Sequence, residues 1–468
     1  MYDYIIVGAG PTGLTLALYL AKLNKKIIVI EKENTIGGIH RVKRENGLFT
    51  EHGPRIYLNN FVNFMQILNI LGTSFQQLFT KYNYQLLSIA GKSIQNFNIK
   101  ELIILSYKLI TINSINRKQT VLEFAKEYNF SQQAINYMDR LCRLSDGASS
   151  KRYTIYQFIQ LINQNSLNSV YIPKLPNDIS LFAIWKQKLQ KLGVKFLLNT
   201  KLIDMNYKGR IIIDASFKSK DKQFKLAANN YILAIPPRPL IRFLEKSNIK
   251  HAYGEHQSVK NWAYKSRYLT YITVAFHWNQ KINLPKIWGF PSNQWGIIYI
   301  VYTDYMKFKH KDSKTVIIAS ISKHVKSSYI NKTPNQCNQL ELKNEVLRQL
   351  KDSFPNLPKP THSILNQNTY KNNKWISNDS AFMLTKHGYL DPFEKYTNLF
   401  SCGTHNGYSD YAFTSIESAV TNALQLIHTI EPISKSKFPM KYSSSIRQII
   451  FKIFILIFAI IMLYPVLF

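Results

Sequence analysis

A strand, a glycine turn, a helix and a second strand ending in an acid follow one another within the first 31 residues. The apolar run Tyr4 to Val7 leads into Gly8-Ala9-Gly10-Pro11-Thr12-Gly13, a helical pattern follows, and the run Ile27 to Ile30 closes on Glu31. A chain with this order is committed to a strand–helix–strand unit whose turn sits at the carboxyl ends of parallel strands. Gly8 permits the tight turn, Gly10 lets backbone approach a pyrophosphate, and Gly13 lets the helix pack closely on the strand. The first helical N–H groups, Thr12 among them, are oriented donors for phosphate charge. Glu31 falls where an acid accepts hydrogen bonds from a ribose. Dinucleotide binding is the expectation; the alternative is a turn of the same shape that holds nothing.

The residues that follow narrow the dinucleotide. Lys32-Glu33-Asn34-Thr35-Ile36-Gly37-Gly38-Ile39-His40-Arg41 comes first, then Glu51-His52-Gly53-Pro54-Arg55. This order resembles the FAD-dependent amine oxidase, phytoene desaturase and protoporphyrinogen oxidase superfamily. The resemblance implies that Gly37, Gly38 and Arg41 line the diphosphate and ribityl chain, and that Gly53 and Pro54 lie near the isoalloxazine. The family's arginine follows its Gly-Gly pair directly, whereas here Ile39 and His40 intervene. Arg41 as a solvated surface charge therefore stays open. In the relatives a strand like that in Gly193 to Met205 touches adenine through its backbone, which carries over to Lys201 and Leu202. Asn230 to Pro237 resembles the short strand that closes the flavin sheet. Asn398 to Ala423 resembles the family's closing motif, placing Gly403 and Thr404 on the ribityl–phosphate arm and Thr414 and Ser415 at a helix aimed at the flavin pyrimidine. Thr404, Thr414 and Ala419 depart from the usual acid, glycine and glycine.

A chain of 468 residues exceeds what one core spans, so two intertwined domains are expected. The fold class is α/β: a Rossmann-like FAD-binding domain with an interleaved α+β substrate domain and a C-terminal transmembrane helix. The FAD-binding domain takes 1–56, 190–240 and 395–430, and the substrate domain takes 57–189 and 241–394. A linker follows at 431–445, and 446–468 is the anchor. Residues 59–190 read as mostly helical, from the spacing of Phe61, Phe64, Met65, Leu68 and Leu71. Runs such as Tyr268 to Phe276 and Ile297 to Tyr302 read as strands.

The formal charge of +33 invites a nucleic-acid reading. Lysine is spread along the whole chain, however, and neither an arginine-rich helix face nor a zinc or RNA-binding motif stands out, so no nucleic-acid partner is expected. A basic surface favours anionic headgroups. The chain ends IRQIIFKIFILIFAIIMLYPVLF, with no charge from Ile453 onward. That length predicts a single-pass C-terminal anchor. Lys435, Lys437, Lys441 and Arg447 on its entry side predict a catalytic body facing the cytoplasm. No signal peptide is expected, since the first strand begins almost at Met1. Cys142, Cys337 and Cys402 show neither metal-ligand nor disulfide spacing, which predicts no metal and suits a reducing compartment. Non-covalent FAD follows from the resemblance, because the cysteine that tethers flavin in some amine oxidases lies in a different motif.

Hydride transfer to flavin asks the protein for orientation and electrostatics more than for a nucleophile. Candidate pocket residues are Tyr57, His277, Trp278, Trp295, Trp375 and His405. His405, Trp375 and His277 are the catalytic candidates, with core packing as the alternative for each. The expectation is an FAD-dependent oxidoreductase (oxidase, dehydrogenase or desaturase) acting on an amine or lipophilic small molecule. The alternatives are a flavin-dependent mutase of UDP-galactopyranose mutase type and a non-catalytic membrane protein with a degenerate flavin fold.

Overall fold

Ile27–Ile30 is buried at every position, as a strand covered on both faces must be. The computed structural model describes all residues except 83–93, 166–167, 221, 269–270, 286–292, 367–369, 372–373, 376–381, 383–386, 410, 412–414 and 454–468. Its central sheet has five strands: β1 (Tyr2–Val7), β2 (Ile27–Ile30), β3 (Lys195–Leu197), β4 (Ala228–Leu233) and β5 (Leu399–Ser401). They lie in the order β5-β4-β1-β2-β3, and every pairing is parallel. Tyr4 is in register with Asn230 on one side and Ile27 on the other.

Alternate strand residues point to opposite faces, and the core divides accordingly. Tyr4, Ile6, Ile27 and Val29 pack with helix α1 (Pro11–Lys22) and with the C-terminal helix Ile416–Ile430. Helix α1 is buried from Pro11 to Ala21, consistent with a helix that is apolar all round. Ile5, Val7, Ile28 and Ile30 instead pack under an antiparallel meander of Thr200–Lys208, Ile211–Ser219 and Lys222–Leu226, together with Leu240 and Ile241.

A second, antiparallel sheet takes Ile298–Val301, Thr315–Ile321, Ile272–Trp278 and His362–Leu365 in that order. Helix Gln339–Leu350 covers one face through Leu342, Val346 and Leu350. Helices Ile99–Ile110, Val121–Glu127, Gln132–Asp146 and Ile155–Asn165 share a separate core around Phe124, Met138 and Phe158. Residues 59–190 are mostly helical, with short strands besides: Val170–Pro173 pairs with Tyr57–Leu58 on one side and Phe79–Lys81 on the other in a small sheet. Residues 431–445 are docked on the body: Tyr4 donates to Glu431 (2.7 Å), and the Phe438 ring lies 4.7 Å from that of Tyr19.

The expected membrane anchor is corrected here. Among the described residues, no helix is long and apolar enough to cross a membrane. A span needs about 20 apolar residues, whereas the described terminal helix covers only 446–453 and carries Arg447 and Lys452. Its Arg447 N–H donates to Asn163 (3.0 Å), a contact with the body of the protein. The remainder of the expected anchor, 454–468, lies outside the described residues. The single-pass topology and the cytoplasm-facing orientation rested on that helix, and both are withdrawn with it.

Candidate functional site

The glycine turn is closed by contacts that no side chain could share. Gly8 has φ +108°, and a Cβ there would lie 2.4 Å from the Ala234 carbonyl oxygen. A Cβ on Gly13 would stand 1.9 Å from the Gly8 oxygen, so strand and helix meet at glycine contact distance. Gly38 has φ +56°, and its Cβ would meet Gly10 Cα at 2.9 Å. The Gly37-Gly38 pair is thereby pressed against the turn, and Gly37 N–H donates to the Ala9 carbonyl (2.8 Å). Helix α1 starts at Pro11 with no side-chain cap from Gly10, so no capping side chain there meets the first backbone donors of the helix.

Glu31 closes the turn from the end of β2. Its carboxylate accepts from the N–H groups of Ala9 (2.8 Å) and Glu33 (3.0 Å). It also lies 3.4 Å from the Arg41 guanidinium, whose Nε donates to the Thr35 carbonyl (3.0 Å). Arg41 is buried rather than solvated. The chain just ahead of Lys201 and Leu202 runs beside this acid: Asn199 N–H donates to Glu33 O (3.0 Å), and Thr200 N–H to Glu31 O (2.9 Å). The Leu202 side chain turns into the core under the sheet.

From the other end of the sequence, β5 delivers Cys402, whose N–H continues the ladder to the Leu233 carbonyl (3.1 Å). Gly403 follows, its N–H donating to Asn406 (2.8 Å). Thr404 Oγ1 reaches the Phe382 carbonyl at 3.5 Å. Ser415 caps helix Ile416–Ile430 by accepting from Ser418 N–H (3.1 Å). Thr414 lies outside the described residues. Because β5 is separated from β1 only by β4, the Gly8–Gly13 turn and the Gly403 loop leave the same edge of one sheet. Their helices pack on each other.

Between this edge and the second sheet lies the segment Glu51 to Arg55. The His52 carbonyl accepts from Thr273 Oγ1 (2.5 Å), and a Cβ on Gly53 would press on the Tyr271 ring at 3.0 Å. Pro54 follows, half-buried. Tyr302 hydroxyl donates to Glu51 and accepts from the Arg55 N–H (2.7 Å). The Arg55 guanidinium donates to the Ile39 carbonyl and stands 3.9 Å from the Glu51 carboxyl. Burial pushes the Glu51 carboxyl up to about 7, against the pull of Arg55 and Tyr302. Burial, then the Arg55 charge, holds His40 and His52 well below the usual imidazole range. Sequence reasoning missed Glu51 and Tyr302. Glu51 carried a signal, being the last acid before Glu101 in an acid-poor chain; Tyr302 carried none.

Of the pocket candidates, Trp278, Trp295 and Trp375 share one core, whereas Tyr57 lies in another. His277 bridges Phe49 O (2.8 Å) and Ser313 Oγ (3.0 Å), and burial lowers its pKa to about 4. Trp278 and Trp295 donate to the carbonyls of Pro358 (3.1 Å) and Val325 (3.0 Å) within the core of the second sheet, against which Trp375 also packs. His405 turns back to Ser401 Oγ (2.8 Å), with its pKa pushed down to about 3 by burial. Tyr57 is buried and accepts from Asn177 Nδ2 (3.1 Å).

The NAD(P)-binding Rossmann-like domain family matches residues 6–71. Among curated proteins, a thioredoxin reductase from Ureaplasma parvum is 23% identical over 212 residues, covering 44% of this chain and 63% of that protein. A UDP-galactopyranose mutase from Mycoplasma genitalium is 40% identical over 62 residues, 13% of this chain and 15% of that one. The chain thus matches less than two thirds of the length of either relative. Solved structures match nearly end to end. A putrescine oxidase aligns with TM-score 0.64 at 13% identity, over 92% of this chain and 98% of its own. Cyclohexylamine oxidase from Brevibacterium oxydans aligns with TM-score 0.61 at 13% identity, over 93% and 99%. An Exiguobacterium protein described as a protoporphyrinogen oxidase aligns with TM-score 0.61 at 16% identity, over 92% and 98%. From its glycine turn to its closing loop, the chain shares the fold of these solved oxidases, with a Rossmann-like unit at its start.

Proposed function

We propose that this protein is an FAD-dependent oxidoreductase that takes hydride from an amine or a lipophilic small molecule. The observation that carries the reading is the meeting of two distant segments, Gly8–Gly13 and Gly403–Asn406, at one edge of the parallel sheet. When bound, the flavin supplies the hydride acceptor at N5. The chain's own residues do the holding. The uncapped start of α1 meets phosphate charge, and Glu31, oriented by Ala9 N–H and Arg41, accepts from ribose hydroxyls. Gly53 and Pro54 would lie near the ring, on a segment that the second sheet backs through the Thr273 bond to the His52 carbonyl. Residues 1–56, 190–240 and 395–430 form the cofactor domain in this reading; 57–189 and 241–394 form the substrate domain.

The cofactor is held without a covalent bond. Cys402 is fully buried, its sulfur directed to the Asn422 carbonyl at 3.7 Å, and burial drives its thiol far from ionisation. Acid precipitation is expected to release all yellow colour into the supernatant.

The 62-residue match to a mutase supports a second reading, a flavin-dependent isomerase with no net electron acceptor. The visible spectrum of the purified protein, followed by anaerobic addition of candidate amines, polyenes or UDP-galactopyranose, decides between them. Bleaching by an amine or polyene supports the oxidoreductase. Interconversion of the nucleotide sugar supports the mutase. A colourless protein that takes up no FAD overturns both.

A further inference from the structure

Among the described residues, a cation buried beside the glycine turn has no close anion. The Arg55 side chain is only 11% exposed, and its Nε makes no hydrogen bond. Among the described residues the one carboxylate within 4 Å of it, Glu51, stands 3.9 Å away, is itself 2% exposed, and has its other oxygen engaged by Tyr302. Burial and the Arg55 charge hold the neighbouring imidazoles, His40 and His52, well below their usual range, so they add no further positive charge and leave that of Arg55 unbalanced. Guanidinium stays charged under all ordinary conditions. A buried charge without a good partner is costly, which makes an anionic ligand the natural complement.

Its place selects the ligand. The guanidinium donates to the Ile39 carbonyl, one residue beyond Gly38, whose Cα is pressed against Gly10. The other arginine of this region, Arg41, is committed to Glu31 and the Thr35 carbonyl. We infer that Arg55, rather than Arg41, supplies the guanidinium that meets the diphosphate of the bound dinucleotide. This rests on the reading of the site as an FAD site. On binding, Arg55 keeps its backbone contact to Ile39 and turns its free N–H toward phosphate oxygen, a charge-assisted bond of the stronger kind.

Equilibrium titration of apo-protein with FAD, ADP and adenosine tests this in the wild type, Arg55→Gln and Arg55→Lys. Arg55→Gln is expected to weaken FAD and ADP roughly 10- to 100-fold, the range of a lost charge-assisted bond, while leaving adenosine, which has no phosphate, unchanged. Arg55→Lys should recover part of the loss. Unchanged FAD affinity in Arg55→Gln, or an equal loss for all three ligands, overturns the assignment. A second measurement covers a Gln variant that does not fold. In the wild type, inorganic pyrophosphate should slow phenylglyoxal modification of Arg55 but not of exposed Arg117. Equal modification of Arg55 with and without pyrophosphate also overturns it. Failure of the wild type to bind FAD at all is a separate result and counts against the flavin reading itself.

Discussion

Glu51 shows how one side chain sets a pH response. Its carboxyl rises from 4.5 to about 7 on burial. A folded-state pKa above the unfolded one means that the native state holds the proton more tightly. The group's stabilising share is full below about pH 4.5 and is lost as pH rises through about 7. His277 and His405, lowered to about 4 and about 3, run the opposite way: their share is present above about 6.5 and is lost as pH falls. The difference between wild type and Glu51→Gln isolates the first effect. Urea denaturation from pH 4.5 to 7.5 should show the variant gaining on the wild type by on the order of 1–3 kcal/mol; a difference independent of pH contradicts the assignment. At this scale the glycine turn was legible because its three glycines fall within six residues, although only the Gly13–Gly8 contact is local: Gly8 is pressed by Ala234 and Ile235, and Gly10 lies against Gly38. Tyr302 was illegible because its partner Glu51 is 251 residues distant.

At the scale of elements, the helix Val62–Leu71 has no cap of its own, since Phe61 at its start offers no acceptor. Glu417, from the helix Ile416–Ile430, supplies one. Its carboxylate accepts from the N–H groups of Asn63 (3.0 Å) and Phe64 (2.8 Å) and from Asn63 Nδ2 (2.9 Å). A carboxylate at a helix N-terminus satisfies orphan donors and complements the dipole. Burial nevertheless outweighs these bonds and lifts Glu417 to about 6. Glu417→Ala is expected to lose about 1–3 kcal/mol and to expose the Asn63 and Phe64 amides to hydrogen exchange, while Glu417→Gln keeps most of both. Unaltered exchange at these amides would refute the cap. The sequence Ser415 to Ala419 was recognisable by resemblance, yet nothing in it disclosed that its acid serves a helix 353 residues earlier. The small sheet of Tyr57–Leu58, Phe79–Lys81 and Val170–Pro173 was equally hidden, because strands this short leave no period to count.

For the whole molecule, parallel β1, β2 and β4 were readable as apolar runs, whereas the order β5-β4-β1-β2-β3 was not, because it joins strands far apart in the chain. The apolar C-terminus misled for a physical reason: hydropathy reports the solvent a segment prefers, not the contacts that its flanking residues make. Pro439 and Lys441 give their carbonyls to the side chains of Gln66 and Asn63, tying the approach to that terminus onto the protein body. Of the aromatic and imidazole side chains named as pocket candidates, Trp278 and Trp295 are held in a core, and His277 is held between Phe49 and Ser313.

The central claim is that two ends of the chain grip one dinucleotide, and hydrogen exchange with and without FAD tests it most directly. The account predicts that FAD slows exchange together at residues 9–13, 37–41 and 403–406. Protection confined to the N-terminal segments, with 403–406 unaffected, or no protection anywhere, would contradict it.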